Sequence, residues 1–200
     1  MTASPRIVPG PDRRLDILKS AAAAFRRHGY HGASVDEIAG ALEMTKGNLY
    51  YYFRNKEEIL FACHDYSLDV LLGLLDDVQA SDAPPDTKLR TLVVAFVHVI
   101  LDELRGTALT LDLQALSPPL LRKVIARRDL FDRGIRSIVQ QGMDDGAFVA
   151  GDAKMVAFAL LGAVNWITRW FDPEGPMSSE QIAQAFADYL VGGLARRTAG

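Results

Sequence analysis

At 200 residues, 49% of them hydrophobic and 24% charged, the chain has apolar material for one compact unit or for a small domain joined to a larger one. Its single cysteine, Cys63, excludes an intrachain disulfide and a cysteine-based zinc centre and suits a reducing cytoplasm. The formal charge of −3 argues against a nucleic-acid partner until its distribution is read: residues 1–56 hold nine Lys or Arg against five Asp or Glu, a net of +4, whereas residues 57–200 hold thirteen against twenty, a net of −7. A basic end on an acidic body directs a polyanion to one face.

Residues 1–11, with Pro5, Pro9 and Pro11, read as a disordered arm in which Arg6 is available to DNA, and as neither a signal peptide nor a membrane anchor. From Asp12 to about His28, Leu15, Leu18, Ala22 and Phe25 recur at helical spacing. Ser34 with Glu37 makes a capping box for a short helix, Val35 to Leu42. After the tight connection Glu43-Met44, Thr45 caps a second short helix, Lys46 to Phe53, and Asn55 with Glu58 caps a third from Lys56. Two short helices joined so tightly form a helix-turn-helix, whose second helix enters the major groove of DNA. That helix carries Lys46, Gly47, Asn48, Tyr50, Tyr51 and Tyr52, and only Leu49 and Phe53 anchor it. Asn can pair with adenine in two places, Lys can donate to guanine, Gly admits a close backbone, and tyrosine hydroxyls reach phosphates.

The run Thr45-Lys46-Gly47-Asn48-Leu49-Tyr50-Tyr51-Tyr52-Phe53, followed by Asn55-Lys56-Glu57-Glu58, resembles the DNA-binding signature of the TetR family of transcriptional regulators, and Arg14 to Gly32 resembles that family's first helix. Glu43 departs from it, standing where the family usually has glycine; a positive φ there costs glutamate about 1 kcal/mol relative to glycine. The resemblance implies an all-α fold: a three-helix DNA-binding domain at 12–57 and a ligand-binding and dimerisation domain at 58–200, about nine helices in all. Base reading falls to Lys46, Gly47 and Asn48, with Tyr51 beside them, and phosphate contacts to Ser34, Thr45, Tyr50, Tyr52 and Lys56. On this reading Lys56→Ala weakens binding evenly across sequences and lowers its salt dependence.

The third helix runs on to near Ala80, with His64 beside Cys63 as a core or surface histidine. A helix from about Asp86 to Leu104 holds His98 in an apolar face, and a shorter one follows from Gly106 to Leu116. Ser117-Pro118-Pro119 opens a long helix to about Met143, with Arg122, Lys123, Arg127 and Arg128 among its cations. Asp152 caps a helix to about Phe171 that is apolar almost all round, which requires contact on two sides. Ser178 and Gln181 box the last helix, and the final pair of helices suits a four-helix homodimer interface. No strand-like alternation occurs, and the apolar runs Leu92 to Leu101 and Met155 to Val164 fall short of the ~20 residues that span a bilayer.

The chain holds no phosphate-binding glycine loop, Glu-x-x-His pair or nucleophile motif, so neither an enzyme, a cofactor nor a metal site is expected. The resemblance implies a double-stranded, roughly palindromic operator and a small-molecule effector. Gly162-Ala163-Val164-Asn165-Trp166 through Trp170-Phe171-Asp172-Pro173, with Arg127-Arg128-Asp129, is similar to regulators of fatty-acid, aromatic or steroid breakdown that answer to acyl-CoA thioesters. Apolar helices suit an acyl or ring moiety, while Arg122, Arg127, Arg128 or Arg169, near Asn165, Trp166 and Trp170, suits the CoA phosphates. An apolar or cationic drug-like effector, and a helical adaptor that binds no DNA, stay open as alternatives.

Overall fold

The computed structural model describes residues 11–103 and 113–196, and among them the fold is all-α, without a strand. Helices α1 (Pro11–Gly32), α2 (Val35–Gly40) and α3 (Lys46–Tyr52) form the N-terminal head. The body comprises α4 (Lys56–Ala80), α5 (Pro85–His98), α6 (Pro118–Asp144), α7 (Ala153–Trp166) and α8 (Ser179–Gly192). Residues 1–10 of the expected arm and most of the helix expected at Gly106 to Leu116 lie outside the described residues, while Pro11, expected in the arm, opens α1; Leu113–Ala115 forms a single 3₁₀ turn.

Gly29, at φ 68°, breaks α1 one residue beyond the expected end at His28. The head is too small for its helices to stand alone: α3 has seven residues, well below the ~12 at which an isolated helix becomes marginal. It is held by Leu49, which is wholly buried, as are Ile17, Phe25, Ile38 and Phe53 of the same core. Polar links to α1 reinforce this packing: the Arg13 guanidinium donates to the Leu42 carbonyl at 2.9 Å, and the Ser20 hydroxyl to that of Ile38 at 3.0 Å.

Helix α4 continues from the head through the body, packing on α1, α5 and α6, while α8 lies along α5 and α7 along α6. Gly134 allows the α4–α6 approach, since a Cβ there would stand 2.1 Å from a Leu75 methyl. After α5 the chain makes one π-type turn, Val99–Glu103, where a continued α-helix was expected. Beside it, His98 Nδ1 lies 2.6 Å from Asp102 and Nε2 lies 2.9 Å from Glu180 in the first turn of α8. The hydrogen bond to Asp102 raises the His98 pKa, burial opposes it, and Glu180 raises it further.

Glu43 is the only described non-glycine residue at positive φ, 54°. Left-handed backbone costs an L-residue about 1–2 kcal/mol, so Glu43→Gly is predicted to raise the unfolding free energy by about 1 kcal/mol in urea denaturation; a decrease would show that the glutamate side chain more than offsets the strain. Because the folded-state pKa of His98 is raised, its contribution is fully present below the unfolded value of about 6.5 and is lost as pH climbs through the folded value. The stability difference between wild type and His98→Gln is therefore predicted to be larger at about pH 5.5 than at alkaline pH, and a difference that grows with pH would contradict the pairing.

Candidate DNA interface and effector cavity

The N-termini of three consecutive helices, α2, α3 and α4, are capped as their sequences require. Ser34 Oγ accepts the Glu37 N–H at 3.0 Å, Thr45 Oγ1 that of Asn48 at 3.2 Å, and Asn55 Oδ1 that of Glu58 at 2.7 Å. Ser34 and Thr45 are exposed, and each hydroxyl accepts this bond while keeping its own proton for an outside acceptor. Along α3, Lys46, Gly47, Asn48, Tyr50 and Tyr51 all face solvent around the buried Leu49, with Tyr51 70% exposed. An exposed aromatic, packed edge-on against Tyr52 at 5.8 Å, beside Lys, Gly and Asn is the composition of a recognition surface. Lys46 Nζ rests 2.9 Å from Asp36 Oδ2, an exposed pair that a phosphate or guanine can exchange.

Two of the expected phosphate contacts point elsewhere. The Lys56 ammonium donates to the carbonyls of Tyr30 at 2.7 Å and Ala33 at 2.8 Å, with His31 at 3.4 Å, and lies over the Tyr30 ring. It fastens the α1–α2 junction to the first turn of α4 rather than facing DNA. The Tyr52 side chain packs inward, its hydroxyl buried and without a hydrogen-bond partner among the described residues. The backbone amides at the N-terminus of α4 retain their favourable dipole for a phosphate.

In the body, α4, α5, α6 and α7 line a half-open cavity of about 310 Å³. Its wall is largely apolar, made by Leu68, Leu71, Phe96, Phe131, Phe158 and Leu161, and its polar lining comes from Arg128, Asp129, Asp132 and Asn165. Of the residues expected to bind ligand, the fold therefore brings Arg128 and Asn165 to this cavity. Burial lowers the Arg128 pKa. Arg127 instead pairs with Asp65 and Asp69 of α4. Arg122, Trp166 and Arg169 are exposed outside the cavity, and Trp170 stacks on Phe186 at 6.3 Å.

Asp129 and Asp132 were not anticipated as lining residues; the available signal was two carboxylates one turn apart at the edge of the apolar stripe of α6. The first turn of α4 and the start of α6 are joined by a contact between distant residues: Glu57 accepts the backbone N–H of Ser117 at 2.6 Å. Ser117, expected to cap α6 with its hydroxyl, makes no side-chain cap bond.

A head that presents one polar helix, set on a helical body with a half-open, partly apolar cavity, is the architecture of the ligand-responsive helix-turn-helix regulators. Residues 17–63 match the family model "Bacterial regulatory proteins, tetR family", and residues 82–194 match "Tetracyclin repressor-like, C-terminal domain". The chain belongs to the TetR family of transcriptional regulators and, like its relatives, is a regulator rather than an enzyme. It is 25% identical over 187 residues to the HTH-type transcriptional repressor KstR2 of Mycobacterium tuberculosis, covering 92% of this chain and 94% of that one. Among solved structures it is similar to the TetR family regulator PfmR from Thermus thermophilus, with 34% identity, a TM-score of 0.79, and 90% and 99% of the two chains covered. It is also similar to AibR in complex with isovaleryl coenzyme A and operator DNA, with 31% identity, a TM-score of 0.75, and 92% and 98% covered.

The engaged Lys56 yields a prediction opposite to the one its sequence position suggested. Charge-assisted hydrogen bonds contribute about 1.5–3 kcal/mol each, so Lys56→Met should lower the unfolding free energy by at least about 1 kcal/mol. The slope of log affinity for DNA against log salt should stay unchanged, whereas a slope reduced by about one unit would restore the phosphate contact.

Proposed function

We propose that the chain is a homodimeric repressor that binds a roughly palindromic operator in the cytoplasm and is released by an acyl-CoA thioester. The observation that carries the DNA-binding part is the exposed α3 face around Lys46, Gly47, Asn48 and Tyr51, with Ser34, Thr45 and Tyr50 at its flanks for phosphates. Dimerisation through α7 and α8 is supported by Met155, Trp166, Trp170 and Tyr189, which are 52%, 65%, 47% and 80% exposed on those two helices and the loop between them. Apolar surface of this size on a terminal helix pair is what a second copy would cover. Two-fold symmetry would then set the recognition helices about 34 Å apart, on successive major-groove turns.

The thioester reading draws on the isovaleryl-CoA bound by AibR and on the cavity, whose volume lies at the low end of the range for ligand sites. It would hold an acyl or small ring moiety and leave the nucleotide outside, where the exposed cations Arg122 and Arg169 are available. The Glu57–Ser117 contact supplies a route for coupling. It ties the start of α6, whose later turns line the cavity, to the first turn of α4, which follows α3 directly. A coupling free energy of about 1–3 kcal/mol would change operator affinity roughly 5- to 150-fold. Asp129 and Asp132 in the cavity lining favour a second reading, a cationic drug-like effector.

Fluorescence anisotropy of the protein on DNA from upstream of its own gene, with and without a panel of acyl-CoA thioesters, tests the proposal. Tight, salt-sensitive binding that one thioester releases is the expected result. Binding that no thioester alters would remove the ligand class, and the absence of specific binding to this and other promoters would remove the repressor.

A further inference from the structure

The polar end of the cavity is short of hydrogen-bond partners in a consistent way. Asp132 and Asn165 both line it, and Asp132 Oδ1 and Asn165 Oδ1 are buried with no partner among the described residues. Arg136 bonds the other Asp132 oxygen and its guanidinium lies over the Phe158 ring at 5.1 Å, while its Nε is also buried without a described partner. On α4, His64 and Ser67 share a face with the lining residues Leu68 and Leu71, at the spacing that stacks side chains along a helix. They are 0% and 1% exposed, and neither imidazole nitrogen nor the hydroxyl has a described partner. Desolvation, followed by the nearby Arg128 charge, lowers the His64 pKa to about 3, so its ring is neutral and offers one donor and one acceptor.

Two orphan acceptors on the wall call for a donor on the occupant, and a carbonyl or ether oxygen cannot supply one. A carboxylate would face Asp129 and Asp132. An ammonium would face Arg128, with Asp132 already paired to Arg136. A hydroxyl both donates and accepts, and it carries no charge to desolvate. We infer that the part of the effector held in this cleft is an apolar group bearing a hydroxyl, whose one proton is donated to Asn165 Oδ1 or to Asp132 Oδ1 beside it. The inference rests on the reading of this cavity as the effector site, and it specifies the group the cavity selects.

The test uses three eight-carbon probes without CoA on the full-length protein: 1-octanol, its isomer heptyl methyl ether, which keeps the oxygen and loses the donor, and octylammonium. Calorimetry should show the alcohol binding on the order of 10-fold more tightly than the ether, as expected where buried acceptors are otherwise left unpaired. In Asn165→Leu that preference should fall, and in Asn165→Leu combined with Asp132→Leu it should largely disappear, while operator binding reports that the variants are folded. The wild-type comparison stands without the variants. Equal or tighter binding of the ether, tighter binding of octylammonium, or no binding of any probe would overturn the inference. A thioester panel that fails to release DNA removes the CoA reading alone, and thioester release without an alcohol preference removes the hydroxyl alone.

Discussion

The structure turns on the first turn of α4, where two adjacent residues of opposite charge face opposite ways. Lys56 clasps the Tyr30 and Ala33 carbonyls at the α1–α2 junction, and Glu57 holds the Ser117 amide at the start of α6. Both are charge-assisted bonds between residues far apart in the chain, of the kind that is short, directional and costly to leave unmade. The Glu57 carboxyl is held below its usual range by the hydrogen bonding from Ser117. The Tyr30 pKa is raised by burial and by the neighbouring Glu57 charge, so head and body meet electrostatically as well as sterically. Both bonds are made by the first turn of α4, and α3 lies only three residues upstream.

The head is a small rigid reader because local signals and tertiary packing agree within it. Caps at Ser34, Thr45 and Asn55 satisfy amides that short helices cannot, and the buried Leu49 holds α3 while its other faces stay in solvent. Glu43 is the one place where this agreement fails, and the turn takes the strained backbone nonetheless. The body follows a different logic. It has a large apolar interior in which His64, Ser67, Asp132 and Asn165 each keep a buried polar atom without a described partner. Polar atoms so placed weaken a core unless something else satisfies them, which is the reason for reading this part of the protein as a site.

Much of the head was legible in the sequence, since its determinants are local. A capping residue and its partner stand three apart, an apolar anchor repeats at helical spacing, and a glutamate in a glycine position announces its own φ. The Ser178–Gln181 capping box of α8 was equally plain. Side-chain direction was not. Lys56 and Tyr52 carry the residue types of phosphate contacts, and only the packing of α1 against α4 shows that one bonds carbonyls and the other turns inward. Arg127 likewise belongs to a basic run in sequence, yet Asp65 and Asp69, 62 and 58 positions away, neutralise it. Arg128 and Asn165 reached the cavity while Arg122, Trp166, Arg169 and Trp170 did not, because helical phase relative to a neighbouring helix decides that outcome, and it is a property of the assembled body.

The central claim is that two copies hold their heads at a spacing that DNA accepts and the effector changes. Lys19 is exposed on α1 of the head, whereas Cys63 is wholly buried, so a nitroxide placed on Lys19→Cys reports on the head alone. The distance between the two labels, measured by pulsed electron resonance on the operator-bound protein and again with the releasing effector, addresses the claim directly. The account predicts a single narrow distance on DNA and a shifted or broadened one with effector. The same distance in both states, or no coupling between labels at all, would contradict it.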